Sequence, residues 1–283
     1  MGNAHTLSAL GASRRARTLA MTGISVSCLG FILIYGVFFM DPLTYDANFE
    51  AKNLKPSLLY LFGTDWLGRD MLARTIKGLS TSILVGVTAS AVSAVIAAIL
   101  GCAAATLGRR ADAVITWVID LFLSVPHIIL IMLISIAVGK GLPGVLIGIA
   151  ATHWTSLARV IRAEVMAIKN ANYITVSRAM GRSELWIAGR HLIPHILPQF
   201  LVGLVLLFPH AILHEAAITF LGFGLPPEQP AIGIILSESM RYLSSGMWWL
   251  AAIPGAVLLA VVLLFDALGE NIKALVDPSS IHE

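Results

Sequence analysis

Six long apolar runs, a charged content of only 12% and a mean hydropathy of +0.85 over 283 residues predict an all-α membrane protein with six transmembrane helices. A water-soluble domain carries about 25% charged residues. With half of that and 57% hydrophobic residues, this chain lacks the polar surface to cover an exterior in water. Lipid is its expected solvent, and a run of about 20 apolar residues crosses lipid as a helix. The runs fall at 19–40, 82–107, 113–138, 144–161, 197–220 and 247–269.

The first run follows Arg14, Arg15 and Arg17. It is longer than a signal-peptide apolar region, and no small-residue cleavage site closes it, so it reads as an uncleaved span. The second is dense in small residues (Ser82, Gly86, Ala89, Ser90, Ala94, Ala97, Ala98, Gly101), which let helices approach closely and place it inside the bundle. The third carries Asp120 and Pro126. A carboxylate in a span is costly. Asp120 lies near one end and is expected to pair with a loop arginine, while Pro126 is expected to kink the helix. The fourth is short and ends in Arg159 and Arg162; the fifth carries His210, His214 and Glu215; the sixth contains Asp266.

Net charge is +3 and the isoelectric point is near 9.0. The basic residues sit in short connections rather than in a stripe interleaved with aromatics, which argues against a nucleic-acid partner. Cys28 and Cys102 each lie in an apolar run without metal-ligand spacing and read as small hydrophobic filler. The arginine-rich N-terminus, Arg109-Arg110 and the stretch from Arg159 to His195 fall on one side of the membrane. The other side has Lys52, Lys55, Arg69, Arg74 and Lys77 diluted by acidic residues, then only Lys140 and Arg241. The richer side is expected to be cytoplasmic, with both termini. Three connections exceed a turn: 41–80 and 221–246 outside, 162–196 inside. No internal repeat appears. Two units are expected: 1–80, the tail, first span and outer loop; and 81–283, a five-helix core containing the 162–196 loop.

The inner loop reads as two helices broken at Gly181, with Ser183 as N-cap of the second and Pro194 and Pro198 bounding it. Ile174, Met180, Leu185 and Trp186 form an apolar face with nothing in the chain to cover it. Docking into a partner's groove and lying on lipid are equally compatible with it.

Gly181, the nine residues 182–190 and His191-Leu192-Ile193-Pro194 resemble the coupling-loop signature of ABC importer permeases, in which a small-residue triplet is followed by Gly, nine residues and I-x-L-P. Thr175-Val176-Ser177 stands where that signature opens Glu-Ala-Ala, and His191 replaces its first Ile. Arg190-His191-x-x-Pro194 resembles the form common in the peptide and nickel branch. Gly63-Thr64-Asp65-Trp66-Leu67-Gly68-Arg69-Asp70-Met71-Leu72-Ala73-Arg74 resembles that branch's G-T-D-x-L-G-R-D-x-x-S-R segment. Its physical reading is a polar turn entering a helix, braced by Asp65, Arg69, Asp70 and Arg74 at helical spacing. Residues 118–126 resemble the branch's third span, and Asp266 through Asp277-Pro278 its C-terminal signature. Leu221-Gly222-Phe223-Gly224 with Pro226, Pro227 and Pro230 resembles its outer loop, with Ile232-Gly233 where Trp-Gly is usual.

The chain is thus identified as a member of the six-helix type I ABC importer permeases. The resemblance implies a coupling helix that meets an ATPase through Tyr173, Arg178, Ala179, Gly181, Ser183, Trp186, Arg190 and Pro194. It implies binding-protein docking at Gly222, Pro226, Pro227 and Gly233. The partners implied are a second, homologous permease, two ATPase subunits, an extracytoplasmic solute-binding protein and the lipid of a bacterial inner membrane. No cofactor is expected on this chain; ATP and Mg belong to the ATPases. The sequence holds no GxxxxGK[ST] P-loop, HExxH, GxSxG or paired catalytic carboxylates, so a transport subunit rather than an enzyme is expected.

Cargo is read from the fifth span. His210 and His214 lie one helical turn apart beside Glu215, so both imidazoles are expected at one spot on the path. Neutral imidazole suits Ni, Zn, Cu or Co. The pair resembles the H-x-x-x-H of nickel-importer permeases. Nickel or a related metal, free or chelated, is the expected cargo; di- or oligopeptides are the alternative, and an ion-coupled transporter a further one. His127 and His153 read as isolated packing residues.

Overall fold

The computed structural model describes residues 2–276. Asp277 and Pro278, expected to close the C-terminal signature, lie outside the described residues, as do the side chains of Arg14, Arg15 and Leu185. Ten α-helices account for most of the described chain, and no strand forms among the described residues. α1 (Gly2–Ile34) runs on through a π-helical turn, Tyr35–Phe39. α2 is Met71–Thr106, α3 Arg109–Ser124, α4 His127–Val138 and α5 Leu142–Lys169. α6 (Asn172–Ala179) and the short α7 (Glu184–Ile187) lead through a π segment into α8 (Ile193–Phe220). α9 is Ile232–Met240 and α10 Trp249–Val276.

Five of these helical stretches are long and apolar enough to span a membrane, and α3 with α4 makes a sixth candidate bent by 97°. The bend falls at Val125-Pro126. Proline has no N–H to give and disfavours helical geometry in the residue before it, and Val125 is extended (ψ 138°). The expected kink is therefore a break.

α2 is the central helix, packed on α5 and α8. Its small residues make this possible: a Cβ on Gly101 would stand 2.8 Å from the Ala158 carbonyl, and one on Gly86 would stand 2.5 Å from Ile212 Cγ1. Ser93 Oγ donates across to the Ala150 carbonyl at 3.1 Å.

Two helices are longer than hydropathy indicates. α2 starts at 71 rather than 82, capped by the Asp70 carboxylate, which accepts from Leu72 N at 2.8 Å. Its polar first turns are satisfied from afar. Lys77 Nζ donates to the Gly36 carbonyl at 2.8 Å, and Arg74 is ion-paired. α5 continues to Lys169 past Arg159 and Arg162, because both arginines find acids on α3: Arg159 pairs with Asp120, and Arg162 Nη2 lies 2.7 Å from Asp112 Oδ2. Asp120 thus meets a helical arginine, not a loop one. Pro194 and Pro198 do not bound the inner helix; Pro194 occupies the first turn of α8 and Pro198 lies inside it.

Candidate functional site

At one end of the bundle, α6 and α7 meet at Gly181, whose φ of +78° is the left-handed conformation that favours glycine. The Arg178 fork spans the turn to Glu184, with Nε–Oε1 at 2.6 Å and Nη2–Oε2 at 3.1 Å. Each holds the other charged: the guanidinium keeps the Glu184 carboxyl below the ordinary carboxylate range, and the carboxylate raises Arg178. Ser183 Oγ accepts from Trp186 N at 3.2 Å, the N-cap its position indicates. Ile174 and Ile187 are fully buried and anchor the loop. Ile174 is therefore not part of an uncovered apolar face, whereas Met180, 74% exposed, and Trp186 are. Trp186 stands edge-on to His191, as does Tyr173. Tyr173, Arg178, Ala179, Gly181, Ser183, Trp186, Arg190 and Pro194 all occupy exposed positions along this one ledge.

The opposite end gathers 41–70, the α4–α5 turn and 221–246. Asp65 is wholly buried and holds both Arg69 Nε (2.6 Å) and Arg74 Nη1 (2.7 Å), and Glu238 of α9 bridges the same two arginines at 3.2 and 2.8 Å. Sequence spacing identifies the brace but not Glu238, 164 residues from Arg74. Asp70, expected among the ion pairs, caps α2. A recess of about 680 Å³ opens beside the brace, lined by Lys140, Gly222, Pro226, Pro227, Arg241 and Tyr242. Gly233 is not on that surface. It is buried where α9 crosses α8, and a Cβ there would come 2.4 Å from the Ala216 carbonyl. Gly233→Ala is expected to destabilise the protein by about 1–3 kcal/mol, the usual cost of overpacking, measured as a lowered midpoint of thermal unfolding in detergent.

The histidines are arranged otherwise than their spacing implies. His214 Nδ1 lies 2.7 Å from the His210 carbonyl, and His210 is exposed. The His214 ring instead packs with His127 at the start of α4 and His153 in α5; the three centroids are 4.6, 5.0 and 5.0 Å apart, all edge to face. His127 Nε2 is 3.2 Å from His153 Nδ1. Glu215 points the other way, fully buried towards Ser82 of α2, and accepts from Thr219 Oγ1 at 2.9 Å. Spacing within one helix cannot show a cluster built from three. The available signal was that each histidine sits inside an apolar run. Among the described residues, no group of three or more His, Cys, Asp or Glu is arranged to hold a metal ion.

A bundle of helices long and apolar enough to span a bilayer, with a folded ledge at one end, defines a multi-pass membrane protein. Residues 95–278 match the family described as "Binding-protein-dependent transport system inner membrane component". The chain is 35% identical over 223 residues to a putative peptide transport system permease protein of Brucella suis biovar 1 (strain 1330), covering 79% of this chain and 75% of that protein. It is 29% identical over 261 residues to the dipeptide transport system permease protein DppC of Bacillus subtilis (strain 168), covering 92% and 82%. Among solved structures, the inward-facing MetNI methionine ABC transporter is similar in fold, with a TM-score of 0.60 at 18% identity over 73% of this chain and 98% of that one. The chain belongs to the inner-membrane components of binding-protein-dependent transport systems. It is a multi-pass permease subunit, a transport component rather than an enzyme, of a system that works with a binding protein.

Proposed function

We propose that this subunit lines half of the path by which an ATP-driven importer moves di- or oligopeptides into the cell. One observation carries the choice of cargo: relatives named as peptide and dipeptide permeases match over 75% and 82% of their own lengths. The metal reading loses support, because among the described residues no group of three or more His, Cys, Asp or Glu is arranged to hold a metal ion. In the proposed cycle, a loaded binding protein docks at the end holding 41–70 and 221–246. Two ATPases grip the α6–α7 ledge at the opposite, cytoplasmic end, where both termini also lie. Their closure rocks this subunit against a second, homologous permease, and cargo passes between them.

The test is the whole complex in proteoliposomes with its binding protein outside and ATP inside. Labelled di- and tripeptides are expected to accumulate in an ATP-dependent manner. Accumulation of Ni²⁺ without any peptide uptake would reverse the choice of cargo. Failure to recover an ATPase with the purified chain would remove the ledge's coupling role.

A further inference from the structure

The three clustered histidines lie within apolar spans, where polar groups are costly and seldom face lipid. His210, exposed on the same helix as His214, carries the same argument one turn away. The break between α3 and α4 places irregular backbone at this depth too, and such backbone is tolerated only when buried in protein or lining a water-filled cavity. His127 is the first residue after the break. This face therefore belongs to the path side of the bundle rather than to lipid.

Backbone carbonyls fix the ring protons. A carbonyl oxygen only accepts, so the nitrogen facing it must carry hydrogen. His214 Nδ1 faces the His210 carbonyl at 2.7 Å, and His153 Nδ1 faces the Ile149 carbonyl at 3.1 Å. Each is thus an Nδ1–H tautomer with a bare lone pair on Nε2. His153 Nε2 is buried with no hydrogen-bond partner in the chain. His127 Nε2 faces the Nδ1–H of His153 at 3.2 Å and the Thr152 hydroxyl at 3.3 Å, so it too is an acceptor. The one lone pair of His127 Nε2 is thus taken by the His153 N–H, which leaves the Nε2 lone pairs of His153 and His214 with no donor among the described residues. A buried polar atom left this way is costly unless something visits it.

The visitor must bring donors and positive charge. A metal ion needs its lone pairs aimed at one centre at about 2.0–2.1 Å, and no group in the described residues is so arranged. An ammonium asks less: three N–H donors reaching acceptors at about 2.9 Å. We infer that His153 and His214, with the His127 ring packed against both, form a transient binding station for the α-ammonium group of the passing cargo. The inference rests on the peptide reading above. Few, uncharged acceptors suit a station that must release what it binds.

The test compares a free-amine tripeptide with its N-acetylated form in the reconstituted complex, each saturating the binding protein. In the wild type, the uptake ratio of free to acetylated peptide sets the reference, so selection by the binding protein cancels. His214→Phe and His153→Phe keep an aromatic ring and lose the lone pair. They are expected to lower the ratio by about tenfold, the loss of one hydrogen bond to a charged group. His214→Gln, which retains an acceptor oxygen, is expected to restore most of it. An unchanged ratio in both Phe variants, at wild-type membrane levels, overturns the station while leaving peptide import intact. If the wild type imports neither peptide, the peptide reading itself has failed. Import of a divalent metal lost in the same variants would overturn the ammonium assignment.

Discussion

Asp65→Ala is expected to remove most of the folded protein from the membrane. The Asp65 carboxylate is fully buried and accepts from the backbone of Leu67 and Arg69 at 2.9 and 3.0 Å as well as from two guanidinium groups. Without it, Arg74, only 4% exposed, keeps a single ion partner, Glu238, and a second cation, Arg69, beside it. Breaking a buried pair by removing one partner costs about 3–5 kcal/mol, a large part of a typical stability of about 5–15 kcal/mol. The brace also ties the start of α2 to α9, so the loss reaches both walls of the recess. Glu238→Gln is expected to cost less, because Glu238 is 24% exposed and water replaces part of its role. Membrane-embedded protein level and the melting midpoint in detergent measure both. Asp65→Ala protein at wild-type level with an unshifted midpoint would show that the brace is not structural.

What the sequence made legible follows from which forces act locally. Hydropathy finds spans because each apolar run meets lipid by itself, and small residues locate α2 at the centre because close approach needs no particular partner. The true start of α2 was hidden, since Arg74 and Lys77 look like loop residues until Asp65, Glu238 and the Gly36 carbonyl are known to reach them. The same holds for the last turns of α5, where Asp112 and Asp120 neutralise arginines that hydropathy counts against a helix. Pro126 signalled a bend, but its size depends on the chain around it. The ledge was legible nearly residue by residue, because caps, a left-handed glycine and a six-residue ion pair are all local. The histidine cluster was not, because its members lie on three helices and meet only through tertiary packing.

Gly181→Val is expected to uncouple import from ATP hydrolysis. The strain arises from the backbone alone: a Cβ at Gly181 meets nothing within 4 Å, yet φ is +78°. A side chain in that conformation costs about 1–2 kcal/mol, which lowers the population of the native turn by about 5–30-fold. The turn sets the angle between α6 and α7, and with it the spacing of Tyr173, Met180 and Trp186 on the ledge. The Arg178–Glu184 fork helps hold that angle. Because the Glu184 carboxyl lies below the ordinary carboxylate range, the fork is complete at neutral pH and is lost only as acid carries the pH down through the lowered value. Neutral-pH assays therefore isolate the glycine. Gly181→Asn is the control, since Asn enters the left-handed region at lower cost. It is expected to retain most ATP-driven uptake and most co-purifying ATPase, while Gly181→Val loses both at normal membrane levels. Equal uptake in Val, Asn and wild type would mean that the ATPase does not read the turn's conformation, and the coupling contact would have to be sought elsewhere on the α6 end.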